Sequence, residues 1–301
     1  MTSVGVLGVG RMGGAIARSL AAHGHEVVLW NRSPGAATRL ASELGGHVEE
    51  RPADVANACD VCISMVSNGA AVDAVFGGPG GLISGAHRGN VLIDGSTVPP
   101  STLRRHEAAA RAAGAGILDA PVSGSVALAE AGRLTIMVGG ETDDVERARP
   151  VLEALATSIF HMGPLGSGAA MKLAVNTVIF GLNEALAEGL ALAQAAGIGR
   201  VAAYDVLTAS AAGAPYVGYK RAAFLEPETT PVAFSLALAA KDLRLIADLA
   251  RQVALSMPGT ETALEVIEAA IRSLGSDRDF SAVASHLRAT TRSEIRQPKG
   301  R

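Results

Sequence analysis

Lys172 and Asn176 stand four residues apart in the apolar segment "AAMKLAVNTVIF". At helical spacing, the two side chains lie on one face. A lysine among apolar neighbours near the positive end of a helix is disfavoured as a cation, so we expect its neutral form to be accessible near neutral pH. Such an amine can act as a general acid and base. The alternative is a lysine whose amine extends into solvent.

Two serine-containing segments could hold a small substrate. "DAPVSGS" ends in Ser123, Gly124 and Ser125 and follows an aliphatic run typical of a strand. Backbone N–H groups and hydroxyls in such a turn can bind an anion, so we predict that these residues hold a carboxylate. "DGSTVPP" also follows a strand, which places Ser96 and Thr97 at the ligand-binding edge of an open α/β sheet. Ordinary glycine–serine turns are the alternative for both segments.

A glycine-rich turn follows the first strand-like run, in "GVLGVGRMGG". Gly8, Gly10 and Gly13 have the spacing G-x-G-x-x-G, and Arg11 and Met12 lie within it. In a strand–turn–helix context the first glycine allows a tight turn, the second lets a pyrophosphate approach, and the third allows close helix packing. The pattern predicts a dinucleotide-binding site to which these five residues contribute.

The end of the second strand indicates which dinucleotide is bound. An acidic residue there would bond the ribose 2′-hydroxyl of NAD and repel a 2′-phosphate, but the sequence has Asn31, Arg32 and Ser33 in "LWNRSP". An arginine can pair with a phosphate, and a serine can add a hydrogen bond. We therefore expect NADP(H) to be preferred over NAD(H). A solvated arginine without that role is the alternative.

The order of apolar runs predicts two domains and a tail. Residues 1–163 alternate strand-length runs ("VGVLGV", "EVVLW", "DVCISMV", "NVLID", "GILDAPV", "LTIMVGG") with helical stretches, which is typical of an α/β Rossmann-type doubly wound sheet. A long interdomain helix is predicted from the N-cap Ser167 to just before Gly197. Residues 164–291 read as all-helical, and 292–301 as a flexible tail.

Composition excludes several classes of function. The 301-residue chain has a net charge of -3 and no extended basic block, so we expect no nucleic-acid partner. Cys59 and Cys62 form a C-x-x-C pair inside an apolar run with no second ligand pair, which predicts buried reduced thiols and no metal site. The first strand begins within a few residues of the start and no long apolar run spans a membrane, so the expected location is cytoplasmic.

Together these motifs resemble the β-hydroxyacid dehydrogenase family. "GVGRMG", "DGSTVPP", "DAPVSGSVALAEAGRLTIMVGG", "GPLGSGAAMKLAVN" and "KDL" occur in that family's order and at similar spacing over essentially the whole chain. The resemblance implies a Rossmann domain, a long interdomain helix and a helical domain that mediates oligomers.

The resemblance also implies roles for individual residues. Lys172 looks like the catalytic lysine, Asn176 like its substrate-orienting partner, and Ser123 with Gly124 like the carboxylate clamp. The further cofactor contacts that the resemblance implies are Val66, Ser67, Thr97 and Lys241. The chain departs from the family at Ser125 and Thr177, and in segment 211–224, where Tyr216 and Tyr219 are expected to help line the pocket.

The expected function is an NADP(H)-dependent oxidoreductase that interconverts a small β-hydroxyacid and its aldehyde acid. Lys172 would be the general acid and base, and the partners would be a small carboxylate substrate and a second or further copies in a homodimer or homotetramer. An imine reductase of the same fold is one alternative. A non-catalytic NADPH-binding protein is another.

Overall fold

The first half of the chain forms a mixed sheet in the computed structural model, which describes residues 2–296, with side chains up to residue 289. The strands are β1 (Ser3–Leu7), β2 (Glu26–Trp30), β3 (His47–Val48), β4 (Val61–Ser64), β5 (Val91–Asp94), β6 (Gly116–Asp119), β7 (Val122–Ser123), β8 (Leu134–Gly139) and β9 (Ala156–Gly163). Six of these nine strands match the predicted runs. The other three, β3, β7 and β9, are short or half-exposed and lack a continuous apolar run.

The strand order is β3-β2-β1-β4-β5-β6-β8-β7, with β9 paired to β8. Neighbours from β3 to β6 are parallel, and β8 runs antiparallel to both β6 and β7. The order reverses on either side of β1, as in a doubly wound Rossmann sheet. The predicted fold class is confirmed for this half of the chain.

The helices are α1 (Arg11–Ala22), α2 (Pro34–Leu44), α3 (Pro52–Ala58), α4 (Gly69–Gly77), α5 (Leu82–Gly85), α6 (Pro100–Arg104), α7 (Glu107–Ala112), α8 (Val126–Glu130), α9 (Thr142–Glu153), α10 (Ser167–Ala195), α11 (Arg200–Ala209), α12 (Pro215–Leu225), α13 (Leu236–Gln252), α14 (Pro258–Leu274) and α15 (Val283–Arg296). A short 3-10 helix, Phe280–Ala282, precedes α15. In the described part of the chain, no helix combines the length and the apolar character that crossing a membrane requires.

Helices cover both faces of the sheet, so its central strands are buried on both sides. Every residue of β4, β5 and β6 is buried, which explains their continuous apolar runs. Cys59 and Cys62 lie in a buried apolar cluster and are free thiols, as predicted. The carboxyl-end residues of neighbouring strands are in register: Leu7 pairs with Ser64, Ser64 with Asp94, and Asp94 with Asp119.

The chain divides into two compact units, Met1–Leu173 and Ala174–Arg301. The division falls inside α10, later than the predicted boundary at 163/164, because the first turns of α10 are fixed to the first unit. There the Asp119 carboxylate accepts hydrogen bonds from the N–H groups of Gly166 and Ala169, each at 2.6 Å. The helix is thus capped by Asp119, and Ser167, predicted as its N-cap, is instead its first residue.

Every regular element of the second unit in the described residues is a helix, as predicted, and an isolated bridge joins Ser235 to Asp279. The interior of this unit contains aromatic rings and a buried ion pair, in which Lys220 donates to both oxygens of Asp279 at 2.7 and 2.9 Å. Helix α15 continues to Arg296, so residues 292–296 of the predicted tail are helical. Residues 297–301 of that tail lie outside the described residues.

Candidate active site

The G-x-G-x-x-G spacing predicts a tight turn at Gly8, open space at Gly10 and close helix packing at Gly13, and the structure has these features at the three glycines. Gly8 has a φ of +95°, and a Cβ there would lie 2.4 Å from the carbonyl oxygen of Met65. A Cβ on Gly13 would lie 1.9 Å from the carbonyl oxygen of Gly8, so this glycine allows α1 to approach β1 closely. Gly10 is exposed at the N-cap of α1, and a Cβ there would project into open space.

This turn fits a pyrophosphate. Gly10 is the N-cap of α1, and the unpaired N–H groups and dipole of a helix N-terminus stabilise an anion there. A side chain at Gly10 would occupy the open space there. Arg11 is exposed at the first position of α1, and Met12 beside it is half-buried.

The segment after β2 lies beside the glycine turn. The N–H of Gly8 donates to the carbonyl oxygen of Trp30 at 2.9 Å. The side-chain amide of Asn31 accepts from the N–H of Val9 at 3.2 Å and donates to the carbonyl oxygen of Ser33 at 2.9 Å. Asn31 therefore ties the two loops together by bonds to their backbone.

Arg32 and Ser33 are both exposed next to these bonds. Within residues 2–289, whose side chains are described, Arg32 forms no ion pair with a carboxylate. An exposed guanidinium in the loop next to the glycine turn can pair with a phosphate. The geometry of the loop therefore accommodates the predicted roles of Arg32 and Ser33.

The loops after β4 and β5 are joined by a buried chain of hydrogen bonds. The hydroxyl of Ser96 donates to Oδ1 of Asp94 at 2.7 Å and accepts from the N–H of Val66 at 2.9 Å. Asp94 and Ser96 are buried, Val66 and Thr97 are half-buried, and Ser67 is exposed. The sequence predicts Val66, Ser67 and Thr97 as cofactor contacts, but it does not identify the carboxylate of Asp94, which bonds the Ser96 hydroxyl that accepts from Val66.

Burial raises the pKa of Asp94 to about 7. The hydroxyl and N–H of Ser96 favour the carboxylate and act in the opposite direction, while the charge of Asp119 on the adjacent strand raises the pKa further. Burial also raises the pKa of Asp119, against the two N–H groups that stabilise its charge. The carboxyl edge of the sheet thus contains two neighbouring buried acids.

Ser123, Gly124 and Ser125 follow Asp119 by a few residues and are all half-buried. Gly124 has a φ of +145°, and a Cβ there would lie 2.8 Å from Cδ2 of Leu134, so a glycine is required. The hydroxyl of Ser125 accepts from the N–H of Leu128 as the N-cap of α8. Ser125, one of the three predicted substrate contacts, therefore also stabilises the start of α8.

Lys172 lies in the second turn of α10 and is half-buried. The apolar residues around it do not form a uniformly buried environment: Leu173 is buried, but Met171 and Val178 are 39% and 69% exposed. The apolar neighbours predict an apolar face around Lys172, but they include exposed residues as well as buried ones. The helix instead exposes one of its apolar stripes.

The second unit holds Asn176 in a polar cluster of its own. Asn176 is 7% exposed, and its Nδ2 donates to Oδ2 of Asp242 at 2.9 Å. The other oxygen of Asp242 lies 2.8 Å from Nζ of Lys241. Asp242 thus fixes the orientation of the Asn176 amide.

The two tyrosines of segment 211–224 have different environments. Tyr216 is buried in the second unit, where its hydroxyl donates to Oδ1 of Asn183 at 2.7 Å and its ring packs edge-on against Tyr219. Tyr219 is 49% exposed. Tyr216 is therefore a core residue of its unit.

Taken together, the ends of β1, β2, β4 and β5 gather the glycine turn, Asn31–Ser33, Val66–Ser67 and Thr97 at one edge of the sheet. This edge is where nucleotides bind in doubly wound sheets. The fold and this edge define a dinucleotide-binding protein.

Comparison with known proteins agrees with this class. Residues 3–163 match the family described as the NAD-binding domain of 6-phosphogluconate dehydrogenase. Residues 166–287 match the family described as NAD-binding of NADP-dependent 3-hydroxyisobutyrate dehydrogenase.

Individual relatives include dehydrogenases and reductases that match nearly the whole chain. The chain is 35% identical over 288 residues to glyoxylate/succinic semialdehyde reductase 2 of Arabidopsis thaliana, covering 95% of this chain and 80% of that protein. A structure of 3-hydroxyisobutyrate dehydrogenase from Salmonella typhimurium is similar with a TM-score of 0.86 and 28% identity, covering 95% and 99% of the two chains. An imine reductase from Pseudomonas sp. shares the fold, with a TM-score of 0.63 at 20% identity over 95% and 99% of the two chains.

The chain belongs to the β-hydroxyacid dehydrogenase family. It is an NAD(P)-dependent oxidoreductase that acts on hydroxyl groups.

Proposed function

We propose that this enzyme is an NADPH-dependent reductase of small aldehyde acids that also works in reverse as a β-hydroxyacid dehydrogenase. The observation that carries the proposal is the pair of hydrogen bonds that the Asp119 carboxylate accepts from the N–H groups of Gly166 and Ala169 at the start of α10. It fixes the strand that leads into Ser123 against the helix that carries Lys172. The names of the semialdehyde reductase and hydroxyisobutyrate dehydrogenase relatives support a substrate of this kind.

Lys172 is the proton donor and acceptor in this proposal. Nζ of Lys172 donates a proton to the substrate oxygen during reduction and takes it back during oxidation. The bound nicotinamide supplies or accepts the hydride.

Asn176 lies four residues after Lys172 on α10, so the two side chains leave the helix on the same side. Because its Nδ2 is held by Asp242, its amide oxygen has a fixed direction. A carbonyl oxygen accepts hydrogen bonds only. We assign Asn176 the orientation of the substrate hydroxyl or the lysine amine through that oxygen.

The carboxylate of the substrate binds at Ser123 and Gly124, with Ser125 beside them. The positive φ of Gly124 turns the chain sharply between two residues with donor groups. Such turns present N–H groups to anions. Holding the carboxylate there would fix the carbonyl carbon in one position for hydride transfer.

The preference for NADP(H) rests on Arg32 and Ser33. Both are exposed beside the glycine turn, and the end of β2 carries no acidic residue that would repel a 2′-phosphate. Lys241 is the further cofactor contact proposed from the second unit.

We also propose that the enzyme is a homodimer or homotetramer. Helix α10 exposes Val178, Gly181, Ala185 and Leu192, which recur at intervals of three, four and seven residues and so form one stripe. Val178 and Leu192 are 69% and 73% exposed. Apart from Glu188, which is also exposed and lies between Ala185 and Leu192, the stripe consists of aliphatic and small residues and is suited to close packing against a helix of a second copy.

The proposed activity is tested by assaying reduction and oxidation with both cofactors over a panel of small substrates. The panel contains glyoxylate, succinic semialdehyde and tartronate semialdehyde, the corresponding hydroxyacids, and cyclic imines. We expect the enzyme to turn over at least one aldehyde acid with NADPH and to turn over none of the imines. Turnover of imines alone would make the protein an imine reductase, and tight NADPH binding without any turnover would make it a non-catalytic binding protein.

A further inference from the structure

Three loops at the carboxyl edge of the sheet meet at the backbone of Met65 and Val66. The glycine turn abuts it, since a Cβ on Gly8 would lie 2.4 Å from the Met65 carbonyl oxygen and 3.1 Å from Cγ1 of Val66. The loop after β5 reaches it through the hydroxyl of Ser96, which accepts the Val66 N–H. The position of this backbone segment therefore affects two neighbouring loops as well as its own.

The Ser96 hydroxyl has a fixed direction because of Asp94. When Asp94 is ionised, its carboxylate can only accept, so Ser96 donates toward Oδ1, at 2.7 Å. Its lone pairs then face the N–H of Val66, at 2.9 Å. Asp94 and Ser96 are 1% and 2% exposed, so water does not substitute readily for either bond.

From this geometry we infer that Asp94 is a positioning residue for the nicotinamide dinucleotide, acting through the hydroxyl of Ser96 on the backbone of Val66. It holds the loop after β4 against the glycine turn in the arrangement that receives the cofactor. The inference rests on the proposed cofactor contacts of Val66, Ser67 and Thr97. Neither Asp94 nor Ser96 needs to touch the cofactor.

A purely structural role of the bonds among Asp94, Ser96 and Val66 can be distinguished from a positioning role by the affinity for the cofactor. If the bonds only stabilised the fold, their loss would lower the free energy of unfolding without changing the affinity of the molecules that remain folded. A positioning role predicts loss of affinity for NADPH and NADH by the same factor. Val66 is not part of the segment proposed to select the 2′-phosphate, so the ratio of the two affinities would be unchanged.

The experiment compares Ser96→Ala, Asp94→Asn and Ser19→Ala with the wild type. The dissociation constants of NADPH and NADH are measured by calorimetry, and the melting temperature is recorded for each variant. Ser19 is a matched control because it is a fully buried serine with one hydrogen bond, to the carbonyl oxygen of Ala154 at 2.9 Å. Asp94→Asn keeps an acceptor oxygen toward Ser96.

We expect Ser96→Ala to raise the dissociation constants of NADPH and NADH about 10-fold, which is the effect of losing one buried hydrogen bond. Asp94→Asn should keep the affinity for both cofactors within about 3-fold of wild type. Ser19→Ala should bind both cofactors with wild-type affinity, although its melting temperature should fall about as much as that of Ser96→Ala. Normal binding by Ser96→Ala would overturn the inference and leave the proposed function intact. A wild type that binds neither cofactor would overturn both.

Discussion

Oδ2 of Asp119 accepts a hydrogen bond at 2.6 Å from the N–H of Ala169, across 50 residues of sequence. Its other oxygen accepts from Gly166 at the same distance. The residue that ends β6 therefore caps the helix that carries Lys172. This one carboxylate connects the strand before the proposed carboxylate clamp to the helix that holds the proposed general acid.

Replacing Asp119 by alanine should destabilise the first unit strongly. It would leave two buried N–H groups without an acceptor, at a cost of roughly 2–5 kcal/mol in the free energy of unfolding. Urea unfolding followed by the fluorescence of Trp30, the one tryptophan of the chain, reports on this unit. Asp119→Asn retains one acceptor oxygen, so its free energy of unfolding should fall less than that of Asp119→Ala.

Asp54→Ala is the control for that measurement. Asp54 forms an exposed ion pair with Arg51, and such pairs contribute little. If Asp119→Ala unfolded at the same urea concentration as Asp54→Ala, Asp119 would not hold the start of α10.

Arg32→Asp should reverse the cofactor preference. The substitution removes a cation proposed to bind the 2′-phosphate and puts an acid where the ribose 2′-hydroxyl of NADH would lie. We expect the ratio of kcat/KM for NADPH to that for NADH to fall by about 100-fold. The check is steady-state kinetics with both cofactors.

Arg88→Asp provides the same change of charge at an exposed arginine before β5, at the opposite edge of the sheet. It should leave the ratio unchanged. An unaltered ratio in Arg32→Asp would mean that the phosphate is recognised elsewhere, with Arg11 and Arg39 as the candidates.

The raised pKa of Asp94 predicts a particular pH dependence of stability. Burial moves this pKa from 3.8 to about 7, so the folded state holds the proton more tightly than the unfolded state. The resulting stabilisation is complete below about pH 4 and is lost as the pH rises through 7. Asp94→Asn removes this dependence, so the difference in unfolding free energy between wild type and variant should change by a few kcal/mol over that range.

Trp30 fluorescence in urea at several pH values from 4.5 to 8 provides this comparison. Glu184, whose pKa burial also raises to about 7, contributes equally to wild type and variant and cancels in the difference. Removing the charge of Asp94 also favours ionisation of Asp119, whose pKa burial raises as well. A difference that stays constant from pH 4.5 to 8 would show that Asp94 does not titrate in this range.

The exposed stripe on α10 predicts the effect of charge at an interface between copies. Val178→Glu and Leu192→Arg would each bury a charge if the stripe packs against a second copy, so each should dissociate the assembly. Size-exclusion chromatography with light scattering gives the mass directly. Val253→Glu, at a valine that is 62% exposed at the end of α13, is the control. Unchanged mass in both stripe variants would place the interface elsewhere.

Much of the first unit could be predicted from sequence because its signals are local. The strands β1, β2, β4, β5, β6 and β8 are continuous aliphatic runs, and the glycine spacing specifies a turn between one strand and the next helix. Each of these signals lies within about ten residues. The long helix α10 was equally predictable, because nearly thirty residues pass without a strong helix breaker.

The remaining parts depend on contacts between distant residues. The bond from Asp94 through Ser96 to Val66 depends on the register of β4 and β5, and the bond from Asn176 to Asp242 spans 66 residues. A carboxylate at the end of an apolar strand, as in "NVLID" and "GILDAPV", is the signal that could have identified Asp94 and Asp119. A buried acid must find donors, but the sequence does not say which ones.

The central claim is that Lys172 transfers the proton, and Lys172→Ala tests it most directly. Turnover of the best aldehyde acid of the panel and the dissociation constant of NADPH are measured on the same preparation. We expect turnover to fall by about 100-fold or more while the dissociation constant stays within about 2-fold of wild type. Near-normal turnover in Lys172→Ala would contradict the account.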